Sequence, residues 1–174
     1  MNNIYNGPDE GREAEIVKAL MSHVRSGSTA VVDIPRERRL FVSIPAEDLK
    51  PVLTFAVREL GFGHLSTITG LDLEDRMEVI YHLNDGETAL SLKVPVWRDD
   101  PRLPTVVDIL PGAALYEREV HELFGIVFEG HPDLAPLLLP EDWPEGLYPM
   151  RKNLTPELIR GVLADARATR QSRR

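Results

Sequence analysis

Five charged or titratable side chains crowd into six positions, Glu117, Arg118, Glu119, His121 and Glu122, and His131 follows ten residues after His121. Carboxylates beside imidazoles are the raw material of general acid–base catalysis and of metal sites. The spacing argues against a metal: a helical zinc site needs a second histidine four residues from the first, and here the next one lies across a glycine and a turn. The absence of cysteine also removes disulfides, thiolate metal sites and thiolate-ligated iron–sulfur clusters. Gly61-Phe62-Gly63 is too short for a dinucleotide loop, and no GxxxxGK[ST] or GxSxG occurs. Acid–base work by Glu117, Glu119 and His121 stays open and would require a concave pocket around them. The competing reading is a solvated face, since Glu117/His121 and Arg118/Glu122 have i,i+4 spacing and such pairs add only ~0.2–0.5 kcal/mol each. A third is charge-assisted contact that orients a docked partner.

These residues sit on a predicted helix, Ala113 to Phe124, with Tyr116, Val120, Leu123 and Phe124 as its apolar stripe and Gly125 as its stop. Upstream, the three-and-four spacing of Ile16, Val17, Leu20, Met21 and Val24 predicts a helix from Glu10 to Arg25. Thr29 to Ile34 and Arg39 to Ile44 suit an antiparallel hairpin, and Ala46 to Leu60 a second helix that Gly61 and Gly63 end. Leu65 to Leu73, Met77 to Leu83 and Thr88 to Val96 read as three strands of a meander, with Asn84-Asp85-Gly86 as a hairpin signal. Thr105 to Leu110 suits a helical turn or two, Ile126 to Phe128 a short strand, and Thr155 to Arg170 a last helix capped by Thr155. The expected class is α+β: a mixed, largely antiparallel sheet with helices on one face, then an extended C-terminal arm and a short terminal helix. The expected division is a domain over residues 1–128 and an arm over 129–174.

Nine of the 14 prolines fall between Pro101 and Pro156. Each removes an amide donor and fixes φ, so regular helix or sheet is excluded from much of that stretch. Yet Leu134, Leu137, Leu138, Leu139, Trp143, Leu147, Tyr148 and Met150 are too apolar for a solvated linker. A long apolar strap of this kind is expected to become ordered by docking on a partner. Trp143, flanked by Pro140 and Pro144, either fills a notch in its own domain or anchors an interface. Arg151, beside Lys152, is either solvated or bidentate to a carboxylate on this chain or the partner.

A chain of 174 residues with net charge −8 is the size of one domain and lacks the basic footprint that nonspecific nucleic-acid binding needs. Arg167, Arg170, Arg173 and Arg174 form one basic cluster, read as a solvated tail. Met1 to Tyr5 show no signal-peptide pattern and no apolar run approaches the ~20 residues that span a bilayer, so a cytoplasmic location is expected.

Glu117-Arg118-Glu119, Glu122-Leu123-Phe124-Gly125-Ile126, Phe128, Gly130-His131-Pro132 and Leu134 resemble the signature of the 30 kDa subunit family of respiratory complex I. Leu138-Leu139-Pro140-Glu141-Asp142-Trp143-Pro144-Glu145-Gly146 and Pro149-Met150-Arg151-Lys152 are similar to that family's arm, and the likeness covers about Tyr116 to Asn153. Ala135-Pro136 departs from it, standing where the family often has a basic residue. The run LLLPEDWPEG is also similar to the energy-converting hydrogenase and formate-hydrogenlyase branch.

The resemblance implies a structural and assembly subunit without catalytic residues or cofactor of its own. Iron–sulfur clusters, quinone or a nickel–iron centre would belong to its partners, a large quinone-site or catalytic subunit and a small cluster-binding subunit. It would meet the membrane only indirectly, as part of a peripheral arm on the cytoplasmic face. By the same implication Glu117, Arg118, Glu119 and Glu122 fix helix and arm geometry by ion pairs. His131, Leu138, Trp143, Tyr148, Arg151 and Lys152 then complete the partner interface.

Overall fold

The structure, a computed structural model, describes residues 4–7 and 10–171. Of the C-terminal arginine cluster, Arg173 and Arg174 lie outside the described residues, as do the side chains of Arg167 and Arg170. The chain runs β1 (Ile4–Asn6), α1 (Arg12–Met21), β2 (Val31–Arg36), β3 (Arg39–Ser43), a 3-10 turn (Ala46–Asp48) and α2 (Leu49–Arg58). Then come β4 (His64–Asp72), β5 (Arg76–Asn84), β6 (Ala89–Trp97), β7 (Arg102–Pro104), α3 (Ala113–Phe124), β8 (Val127–Glu129) and α4 (Pro156–Gln171).

Six strands form one sheet in the order β1-β2-β3-β6-β5-β4, and β7 pairs with β8 apart from it. The β3–β6 and β1–β2 pairs are parallel and the rest of the large sheet is antiparallel, the mixed arrangement expected. Strand period explains its two faces. Met77, Val79, Tyr81 and Leu83 of β5 lie opposite Val96, Val94, Leu92 and Leu90 of β6, and all eight are buried beneath the helices. The intervening positions form the other face, where the Phe41 ring lies under Arg39 and Lys93, each 4.7 Å from its centroid.

The β5–β6 turn forms because short polar side chains take up its amides. Asp85 Oδ1 accepts from Glu87 and Thr88 at 2.9 and 2.6 Å, and Asn84 Oδ1 accepts from Gly86 at 2.6 Å. The turn after α1 is joined to α2 by a stack of His23 on Phe55, 3.8 Å between centroids. α3 approaches β4 closely because Gly70 faces the Phe124 ring, where a Cβ would come within 2.6 Å of it.

Three elements differ from expectation. β1 and β7 are three residues each, too short for a periodic signal, and each is held by a parallel partner remote in sequence. Helix 10–25 contracts to α1, its last turns replaced by the turn His23–Ser28. Thr105 to Leu110 makes a single helical turn, as expected, with Leu110 N–H donating to Val106 O at 2.8 Å.

Candidate functional site: a strap clasped by α3

α3 begins after Pro111-Gly112 and stops at Gly125, whose φ of 72° lies in the left-handed region that favours glycine. A side chain there has no room either, since a Cβ would meet the Tyr148 ring at 2.5 Å and Arg151 Nη2 at 2.8 Å. The end of the helix and the far end of the strap are thus in contact across one glycine.

The charged face of α3 does not pair along the helix. Glu117 points inward and its side chain is fully buried, accepting from Thr105 Oγ1–H at 2.5 Å and Val106 N–H at 2.8 Å. Burial pushes its carboxyl above the usual range, with those two bonds opposing the rise. Tyr81 is buried nearby, and burial together with the Glu117 charge pushes its phenol up. His131 Nε2 is 3.9 Å from Glu117 and bonds Ala114 O at 3.1 Å, while Nδ1 accepts from Asp133 N–H at 3.0 Å. These partners place the imidazole proton on Nε2. His131 therefore fastens the root of the strap to the first turn of α3.

Arg118 donates to the carbonyls of Ala135 at 2.9 Å and Pro136 at 2.8 Å. One helical turn on, Glu122 accepts from the amides of Leu137, Leu138 and Leu139 at 3.2, 2.7 and 2.9 Å. Arg118 also stands 3.9 Å from Asp133 of the strap, an ion pair of the expected kind, and bonds to backbone are added to it because the prolines leave this segment with groups that no ladder can satisfy. Glu119 is half-buried, and the 100° step of a helix turns it about 200° from Glu117. The acid–base trio therefore does not converge. His121 spends Nδ1–H on Ile126 O at 2.9 Å.

Beyond Leu139 the strap advances by tight turns, with Trp143 N–H to Pro140 O at 2.8 Å and Leu147 N–H to Pro144 O at 3.3 Å. Trp143 is half-buried and donates its indole N–H to Leu147 O at 2.7 Å, so it braces the strap itself. It borders a groove of about 340 Å³ shared with His121, Glu122, Leu134, Leu139 and Tyr148. Arg151 stacks 4.6 Å over Tyr148 and donates Nε–H to Phe124 O at 2.7 Å, so it meets a carbonyl at the helix end and not a carboxylate. Lys152 N–H donates to Asp72 Oδ2 at 2.9 Å. Asp72, with its side chain almost wholly buried, is also paired with both terminal nitrogens of Arg98, and this pairing holds its carboxyl well below the usual range.

Asp72, Arg98 and Thr105 were beyond sequence reasoning. Lys152 is 80 positions from Asp72, and no local pattern marks such a pairing. Three apolar side chains of the strap remain outward: Leu137 is 38% exposed, Leu138 57% and Met150 55%. Among the described residues, no side chain of α4 belongs to the core, and Leu158 and Val162 on it are exposed as well. Thr155 Oγ1 caps its start, accepting from Leu158 N–H at 3.3 Å. Among the described residues no helix is long and apolar enough to cross a membrane.

The family described as "Respiratory-chain NADH dehydrogenase, 30 Kd subunit" matches residues 42–157. Among curated relatives, NADH-quinone oxidoreductase subunit 5 of Thermus thermophilus is 42% identical over 139 residues, 70% of this chain and 66% of the relative. A subunit of the F(420)H(2) dehydrogenase of Methanosarcina mazei is 37% identical over 130 residues, 72% of this chain and 80% of the relative. The chain thus spans just under two thirds of the Thermus protein. Among solved structures, a chain of the archaeal membrane-bound sulfane sulfur reductase, a respiratory membrane complex, is similar with a TM-score of 0.72 and 34% identity, covering 84% of this chain and 87% of that one. A trypsin-resistant fragment (1-134) of Nqo5 is similar at 0.57 and 34%, covering 69% and 97%.

Proposed function

Because the chain belongs to the family of the 30 kDa subunit of respiratory-chain NADH dehydrogenase, we propose that it is a cofactor-free assembly subunit in the peripheral arm of a quinone-reducing membrane complex. Its seat is the large quinone-site subunit, beside the small cluster-binding subunit, on the cytoplasmic face, with the arm 129–174 as the docking unit. The observation that carries this reading is the strap: ordered against its own helix, it turns Leu137, Leu138 and Met150 to solvent. Outward apolar side chains on a fixed backbone suit a permanent interface, where a few well-buried anchors supply most of the binding energy. Glu117, Arg118, His121 and Glu122 of α3 are engaged in holding backbone, which fits a scaffold better than a catalyst.

A second reading keeps the seat and changes the electron donor, as in a membrane-bound hydrogenase or formate-hydrogenlyase-type complex. It is favoured by the likeness to relatives named for donors or acceptors other than NADH and quinone. The strap geometry serves both readings equally.

Co-purification with the large subunit tests the seat. Leu137→Asp with Leu138→Asp places two charges where the proposal puts an apolar contact, and loss of an anchor costs ≥ ~2 kcal/mol. Recovery of the partner should fall at least ~30-fold. Unchanged recovery with an intact fold would remove the proposed seat.

A further inference from the structure

Pro136-Leu137-Leu138-Leu139-Pro140 has three backbone amides, because neither proline carries one. Glu122 takes all three. Successive amides aimed at one point make an anion-binding nest, and here the anion is a side chain of the same molecule. Arg118, one turn back on the same face of α3, holds the two preceding carbonyls. Five consecutive backbone groups are therefore fixed by one cation and one anion that stand in i,i+4 relation yet clasp the strap rather than each other.

We propose that Glu122 is the positioning residue that pre-forms the docking surface, and that the surface it presents fits an apolar socket rimmed by lysine or arginine side chains. This rests on the proposed seat at the large subunit and gives that seat its chemistry. With its donors occupied, the segment cannot be recognised by strand addition, which needs free amides. Recognition falls to the outward leucines, which the nest locks in place. The rim follows from charge: from Pro132 to Met150 the charged residues are Asp133, Glu141, Asp142 and Glu145, with no base among them. Glu141 and Glu145 are exposed and line the groove together with Leu139 and Trp143, next along the strap from the outward leucines. Ordering before contact removes an entropic cost that a disordered arm would meet on binding.

Hydrogen exchange on the full chain alone provides the test. The amides of Leu137, Leu138 and Leu139 should exchange at least ~100-fold more slowly than in an unstructured peptide. Glu122→Gln, which keeps the shape and removes the charge, should raise those rates at least ~10-fold and leave the sheet amides unchanged. Glu119→Gln should change neither. Fast exchange in the parent chain, or protection indifferent to Glu122→Gln, would overturn the pre-formed strap. Association with the large subunit should slow as salt rises from about 50 to 500 mM, because an acidic rim meeting a basic one steers the encounter. A salt-independent rate would overturn the basic rim. Leu137→Ser with Leu138→Ser should keep the exchange pattern and lose the partner. Retained binding by that variant would refute the docking reading while leaving the nest standing.

Discussion

The large sheet and the strap solve the same problem by different means. In the sheet, backbone groups satisfy one another across ladders and the eight inward side chains of β5 and β6 are buried by the helices. In the strap, prolines forbid ladders, so the backbone is satisfied by charged side chains of α3 and by Asp72, while part of its apolar surface stays outside. The difference teaches that order does not require a core. Burial makes the sheet cooperative. The strap is held at discrete points, and each can be released singly.

That contrast can be broken or sharpened by experiment. The largest effect is expected for Leu92→Ala, at a fully buried position in the middle of β6, which should cost about 2–5 kcal/mol of global stability in urea unfolding. A loss below about 1 kcal/mol would mean that the sheet is not the cooperative unit.

Gly125→Ala should cost less, about 1–2 kcal/mol for the left-handed backbone, and its effect should be local. Displacement of Tyr148 and Arg151 frees the far end of the strap, so protease cutting between Leu137 and Met150 should accelerate with little change in the urea midpoint. Equal loss in both regions would merge them into one unit.

Mild acid should do least. Asp72 has a folded pKa depressed by its Arg98 pair, so its contribution is complete above the unfolded value of about 4 and is lost only as pH falls through the folded one. Glu117 has the opposite sign: its folded pKa is raised by burial, so its ionisation weakens the fold as pH climbs from about 4.3 through the folded value. Protection of the Lys152 amide should therefore hold between pH 7 and about 4, with the strap root unharmed. Early loss of that amide's protection would show that Asp72 is not the latch.

Much of this fold was legible. β4, β5 and β6 stand within a residue or two of the expected runs because two-residue alternation and an Asp-Gly turn are local signals, and α3 matches to the residue because Pro111-Gly112 and Gly125 bracket it. The candidate site was legible in identity but not in role. Glu117 reads as one of a row of surface charges, yet its neighbours Thr105 and Val106 come from a turn that periodicity does not resolve. Glu122 and Arg118 read as an ion pair because spacing along a helix is visible in sequence. The backbone of a strap folded across that helix is not. Between solvent and a carboxylate, the two partners that charge suggests for Arg151, lies a third, because the exposed carbonyls of a helix end attract a cation as well.

Both ends of the segment between Gly125 and Met150 return to one place, the last turn of α3, where Met150 N–H donates to Leu123 O at 3.2 Å and Arg151 to Phe124 O. A closed loop of this kind is forgiving in length: doubling the residues between two fixed ends adds only about 0.6 kcal/mol of closure entropy. Insertions at its tip can therefore accumulate through evolution, altering what is presented to a neighbour while the two moorings and the sheet beneath them stay as they are.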